Sequence, residues 1–114
     1  MNAAEITRIA VAALEDIKGK DITVLQVGHL TQLFETMIIA TGDSNRQVAA
    51  LADNVREKIK EAGGEVIGTE GGKGSEWVLV DAVDVIIHVM HPTARMHYNL
   101  EELWGTAAKA RTAA

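Results

Sequence analysis

"EWVLVDAVDVIIHVM" (Glu76–Met90) decides the fold. It holds two short runs rich in valine and isoleucine, each of strand length and composition. Only Ala82 and Val83 stand between them, so the runs read as consecutive antiparallel strands. Tight two-residue hairpins favour Asn or Gly at φ > 0, and neither is present, which predicts a wider or bulged turn. Alternation along 84–90 puts Ile86, His88 and Met90 on one face, and Val85, Ile87 and Val89 on the other. A histidine alternating with Ile and Met fits a partly apolar face left unsealed. It fits equally a core histidine with its nitrogens satisfied.

Outward from the hairpin, "EGGKGS" (70–75) is a glycine loop preceded by a third strand, "EVIGTE" (65–70). Before it, Ser44 with Gln47 three later reads as a capping box, followed by a helix with Val48, Leu51, Ala52, Val55 and Ile59 on one face. Gly63 and Gly64 stop that helix. "ETMIIATG" (35–42) is nearly all apolar, as expected of a central strand, and "DITVLQV" (21–27) is another. Asn2 and Glu5 form a capping box for a first helix carrying Ile6, Ile9, Ala10, Ala13 and Ile17, with Gly19 as its C-terminal glycine. After Pro92, "ARMHYNLEELW" is a short helix closed by Gly105. The expected order is α-β-β-α-β-β-β-α: an α/β (α+β) single domain over 1–105, with a five-stranded mixed sheet flanked by helices. Residues 106–114 carry no burying pattern and are expected to form a flexible tail.

Composition narrows the functions. A chain of 114 residues with 47% apolar and 24% charged residues suits one soluble globular domain. The absence of cysteine excludes disulfides, thiolate metal sites and cysteine nucleophiles. No apolar run approaches the roughly 18 residues of a membrane span, and no signal or transit pattern opens the chain, so a cytoplasmic setting is expected. The net charge is −5 and the bases are scattered singly. That argues against a phosphate-backbone binder and for a basic protein partner.

The hairpin region offers three chemical readings. The glycine loop fails the Walker template, because Lys73 is followed by Gly74 and the upstream glycine's place is Ile67. It fails the dinucleotide template as well, and it leads into a strand rather than a helix. Asp81 and Asp84 resemble a metal-holding carboxylate pair, with "TGDS" (41–44) as a faint phosphate loop, but they also bracket a turn, where Asp is common. His88, His91 and His97 lack a completing ligand of usual zinc spacing. No catalytic residue, cofactor or metal is therefore assigned. What remains is apolar: Trp77, Trp104, Tyr98, Leu100 and Leu103, concentrated in the last third with His88 and Arg95. That set reads as a docking patch.

The series "DITVLQV", "ETMIIATGDSNRQVAALADNV", "EGGKGSEWVLVDAVDVIIHVM" and "ARMHYNLEELW" resembles the ribosomal silencing factor, or Iojap, family over about residues 5–104. The resemblance implies a nucleotidyltransferase-like fold without an active site. It further implies a protein, commonly a homodimer when free, that binds protein fourteen of the large ribosomal subunit. There it blocks joining of the small subunit and represses translation when nutrients are scarce, with little nucleic-acid contact. Organellar relatives assist large-subunit assembly; a residual nucleotidyltransferase is the rival reading. Trp77, Asp81, Asp84, His88, Arg95, Tyr98, Leu100, Glu101, Leu103 and Trp104 match the family's characteristic positions. Of these, Trp77, His88, Arg95, Tyr98, Leu100, Glu101, Leu103 and Trp104, with Met90, are assigned to the ribosomal-protein face. The chain departs from the family at Gln47, usually His, at Val83, usually a turn glycine, and at Glu35, usually Asp.

Overall fold

A computed structural model describes residues 1–72 and 74–104, and the backbone alone of Ala108–Ala113. The elements run α1 (Ala3–Asp16), β1 (Lys20–Gln26), β2 (Thr36–Thr41), α2 (Asn45–Glu61), β3 (Gly68–Glu70), β4 (Trp77–Asp81), β5 (Val85–Met90), α3 (Pro92–Tyr98), α4 (Leu100–Leu103) and β6 (Ala108–Ala113). They build one mixed α+β sheet in the order β3-β4-β5-β2-β1-β6. The β2–β5 pair is parallel and every other pair antiparallel. β2 and β5 are buried along their whole length, because each has strands on both sides and material on both faces.

α1 and α2 cover one face. Ile6, Ala10 and Leu14 of α1 and Leu51, Val55 and Ile59 of α2 meet Val24, Ile38, Val80, Val85, Ile87 and Val89 in the main core. The expected capping box at Asn2 forms, with Asn2 accepting from the Glu5 N–H at 2.9 Å and Glu5 reaching back at 3.4 Å. At α2, Ser44 accepts from the Gln47 N–H at 3.1 Å, but the Gln47 carbonyl oxygen takes the Asp43 N–H (2.7 Å), one residue earlier than a capping box requires. The Gln47 amide then donates to the carbonyls of Ile17 and Lys18 (3.1 and 3.3 Å), tying α2 to the end of α1.

Both long helices end in a Schellman pair of hydrogen bonds. At α2 the left-handed residue is Gly63 (φ 89), as its sequence predicts. At α1 it is Lys18 (φ 61), not Gly19. Gly19 is small for a different reason: a Cβ there would lie 3.0 Å from the Leu14 carbonyl oxygen and 3.2 Å from a Leu51 methyl.

Three further differences from expectation have local causes. β3 is shorter than 65–70, since it pairs only where β4 lies opposite. The helix expected over 94–104 breaks at Asn99, whose left-handed backbone (φ 45) ends α3 while its side chain caps α4. The β4–β5 turn takes in Ala82, Val83 and Asp84, one residue more than the two counted from sequence, and so is wider than a two-residue hairpin, as expected. The Asp84 N–H donates to the Ala82 carbonyl (3.0 Å), and the Asp81 carboxylate accepts the Val83 N–H (3.0 Å). Those bonds close a γ-turn with Val83 at φ 71, a conformation rare for a β-branched residue. Ala108–Ala113, inside the stretch expected as a tail, runs antiparallel to β1; a backbone ladder needs no burying side-chain pattern. Lys73, Gly105, residues 106–107 and Ala114 lie outside the described residues, and with them the Gly105 stop and the domain end drawn there.

Candidate functional site

The second face of the sheet is only partly covered. α3, α4 and the segment before β2 close over Leu25, Val27, Met37, Ile39, Met90 and Ala94, with Phe34, Trp77, Leu100 and Trp104 half-buried around them. Alternation along β4 places Val78 and Val80 in the main core and Trp77, Leu79 and Asp81 on this other face. The uncovered part is a groove of about 670 Å³. Its apolar walls are Leu33, Phe34, Met37, Ile67, Trp77, Leu79, Val83, Ile86, Leu100 and Trp104, its floor includes His88, and Glu70 and Asp81 stand at its edge.

Aromatic contacts order one end of the groove. The Trp77 indole N–H donates to His88 Nδ1 at 2.9 Å. Trp77 also packs on Tyr98 (centroids 4.7 Å apart), which meets His97 edge-on at 4.9 Å. At the other side Phe34 packs against Trp104 at 5.9 Å. His88 is 6% exposed, and burial pushes its pKa down from 6.5 to about 4, so it is neutral at pH 7.

Besides His88, which lines the groove, the residues assigned to a partner face divide into three groups. Tyr98 (54% exposed) and Leu103 (76%) are surface residues, and Trp77, Leu100 and Trp104 present partial surface around the groove. Met90 has no exposed surface and sits in the core beneath the aromatic layer, so its placement on the contact face is corrected. Met90 is flanked by β4 and β2 and packs in the same buried cluster as Ala94. Arg95 and Glu101 form an internal clamp instead of an open charged pair. The Arg95 guanidinium donates to Glu101 (3.0 Å), the Asp21 carbonyl (2.6 Å), the Thr41 hydroxyl (2.8 Å) and the Thr23 hydroxyl (3.1 Å). That fixes α3 and α4 to the ends of β1 and β2. Leu33, Phe34, Ile67, Leu79 and Val83 were missed by sequence reading; the alternation of β4 was a signal for Leu79, whereas nothing local marks the others.

The motifs that resembled active-site parts have structural employment. In "TGDS", a Cβ on Gly42 would lie 2.9 Å from the Val48 nitrogen, Asp43 pairs with Lys20 at 2.7 Å, and Ser44 caps α2. Asp81 holds the hairpin turn, and the Asp84 carbonyl accepts the N–H groups of Glu35 and Thr36 (2.8 and 3.1 Å). In the glycine loop, Gly71 (φ 84) passes so close to β4 that a Cβ would lie 2.5 Å from the Trp77 carbonyl oxygen. His91 caps α3, accepting from the Thr93 N–H at 3.3 Å. Among the described residues no three of His, Cys, Asp and Glu gather as a metal site. No described helix is long and apolar enough to cross a membrane.

By fold and site, the molecule is a single-domain α+β protein with one sealed sheet face and one apolar groove left open beside aromatic side chains. The chain belongs to the ribosomal silencing factor family: the family model described as "Ribosomal silencing factor during starvation" matches residues 1–114. It is 58% identical to the ribosomal silencing factor of Chromobacterium violaceum over 105 residues, covering 92% of this chain and 86% of the relative. To that of Bacillus subtilis it is 39% identical, covering 96% and 93%. To the chloroplastic Iojap protein of Zea mays it is 37% identical, covering 83% of this chain and 41% of the relative. A crystal structure of a Chromobacterium violaceum protein superposes with a TM-score of 0.90 at 55% identity, covering 100% of this chain and 94% of that one.

Proposed function

We propose that the chain silences translation by steric means, docking through the groove face on protein fourteen of the large ribosomal subunit. So placed, it stands where the small subunit must join. Family membership names the ribosome as the target, and the open apolar groove is the one observation that supports this face as the contact. An apolar cleft rimmed by Glu70 and Asp81, on a chain of net charge −5, complements a basic protein segment. The reading needs no reacting group, cofactor or metal, and it places the protein in the cytoplasm. It includes a free homodimer, since a second copy is a natural cover for an apolar face in the absence of ribosomes.

Co-sedimentation with purified large subunits tests the contact. The chain is expected to pellet with them, and Leu33→Asp to remain in the supernatant. Leu33 is 82% exposed and lines the groove, so this charge disturbs docking and not the core. Equal pelleting of both proteins would move the contact elsewhere.

A further inference from the structure

The His88 side chain makes one hydrogen bond among the described residues, and its direction fixes the ring. Indole nitrogen is only a donor, so His88 Nδ1 must be the acceptor and carries no proton. In the neutral imidazole the proton then sits on Nε2. Nε2 has no hydrogen-bond partner among the described residues, and His88, 6% exposed as a residue, forms part of the groove lining. Its surroundings there are apolar: Ile86 precedes it by two on β5, Leu79 is its register partner on β4, and Met37 lies nearby in the same groove. The donor is not sealed off: Thr7 Oγ1 is the one fully buried side-chain polar atom without a partner among the described residues, so Nε2 keeps access to solvent and to a ligand in the groove.

We propose that the His88 Nε2–H is the specificity-determining donor of the groove, pairing with a main-chain carbonyl of the docked ribosomal-protein segment. The inference rests on the docking reading above and deepens it. The segment that fits puts an apolar side chain between Leu79, Ile86 and Trp104 and turns a carbonyl oxygen towards His88. Its basic flanks meet Glu70 and Asp81. Trp77 acts as the positioning residue: by occupying Nδ1 it holds the tautomer that leaves the donor facing the partner. A fully apolar groove accepts any greasy segment, whereas one fixed donor rejects those whose register leaves it unpaired.

Two measurements test this. Long-range proton–nitrogen NMR of the free chain is expected to show His88 protonated on Nε2 alone at pH 7; a proton on Nδ1 overturns the proposal whatever the variants do. Second, affinity for purified large subunits is compared for His88→Phe, His88→Gln and Leu33→Asp, with folding checked by circular dichroism. His88→Phe keeps a ring but no donor and is expected to bind about tenfold more weakly, the factor corresponding to one well-made hydrogen bond. His88→Gln, whose amide both accepts from Trp77 and donates, is expected to recover most of the loss. Wild-type binding by His88→Phe while Leu33→Asp fails to bind overturns the donor and leaves the docking reading standing. Equal weakening of Phe and Gln overturns the donor in favour of shape alone. Wild-type binding by all three overturns both.

Discussion

Trp77 and His88 face each other across the β4–β5 hairpin, joined at 2.9 Å from indole nitrogen to imidazole Nδ1. Their strands pair antiparallel, with Trp77 opposite Met90 and His88 opposite Leu79. The bond therefore runs diagonally over one sheet face, within the reach of an aromatic side chain. It orients the largest side chain at the groove and fixes the protonation of the ring beneath it.

That burial gives the fold an acid-sensitive step. A histidine with a folded pKa near 4 and an unfolded value of 6.5 binds its proton more tightly in the unfolded chain. Its contribution is fully present above pH 6.5 and is lost as pH falls towards 4. The loss amounts to about 3 kcal/mol, from 1.36 kcal/mol per pKa unit. Urea unfolding of the wild type at pH 7 and pH 4 is expected to show this loss, and His88→Gln to lack that portion of it.

The hairpin turn stores strain that can be removed. Val83 at φ 71 and Lys18 at φ 61 occupy backbone conformations that disfavour a Cβ. Each Gly replacement is expected to raise stability by about 1 kcal/mol after the entropy of an added glycine is subtracted. The sites lie in different turns, so the double variant should show the sum in thermal unfolding.

The Arg95 clamp should prove structural in the free protein. Arg95→Ala removes the donor shared by Glu101, Thr23, Thr41 and the Asp21 carbonyl. A loss of roughly 2 kcal/mol is expected, because the guanidinium is largely buried and its partners are left unsatisfied. Arg95→Lys should not restore it, since one ammonium cannot match the planar fork. Hydrogen exchange should quicken in 92–103 while the α2 core stays protected.

Tyr98 separates contact from packing better than Trp77 does. Over half exposed, it packs on Trp77 with the two rings tilted at 47°. Tyr98→Ala is expected to keep the fold and weaken large-subunit binding by about 2 kcal/mol, as a hot-spot residue would. Trp77→Ala is expected to lose both stability and binding, because it also leaves His88 Nδ1 unpaired. Denaturation midpoints and co-sedimentation on the same samples distinguish the two.

Much of the fold is legible in local pattern. The capping signals at Asn2 and Ser44, the glycine stop at 63–64 and the alternation of Val85, Ile87 and Val89 each respond to physics within a few residues. What stayed hidden is set by distant neighbours. Gly42 is required by Val48 across a helix start, and Gly19 by Leu14 and Leu51. The groove draws on the segment before β2, on β3, β4 and β5, and on α4. Leu33 and Ile67 look like ordinary loop residues until the sheet order brings them to one rim. Arg95 and Glu101 read as surface charge because no periodicity announces that a guanidinium will turn inward to Thr23 and Thr41.

Subunit joining tests the central claim most directly. Purified small and large subunits are mixed with the chain at stoichiometric occupancy of the large subunit, and formation of whole ribosomes is followed by gradient sedimentation. The account predicts that joining is suppressed in proportion to occupancy, and that Leu33→Asp restores it. Undiminished joining with the chain bound to every large subunit would contradict it.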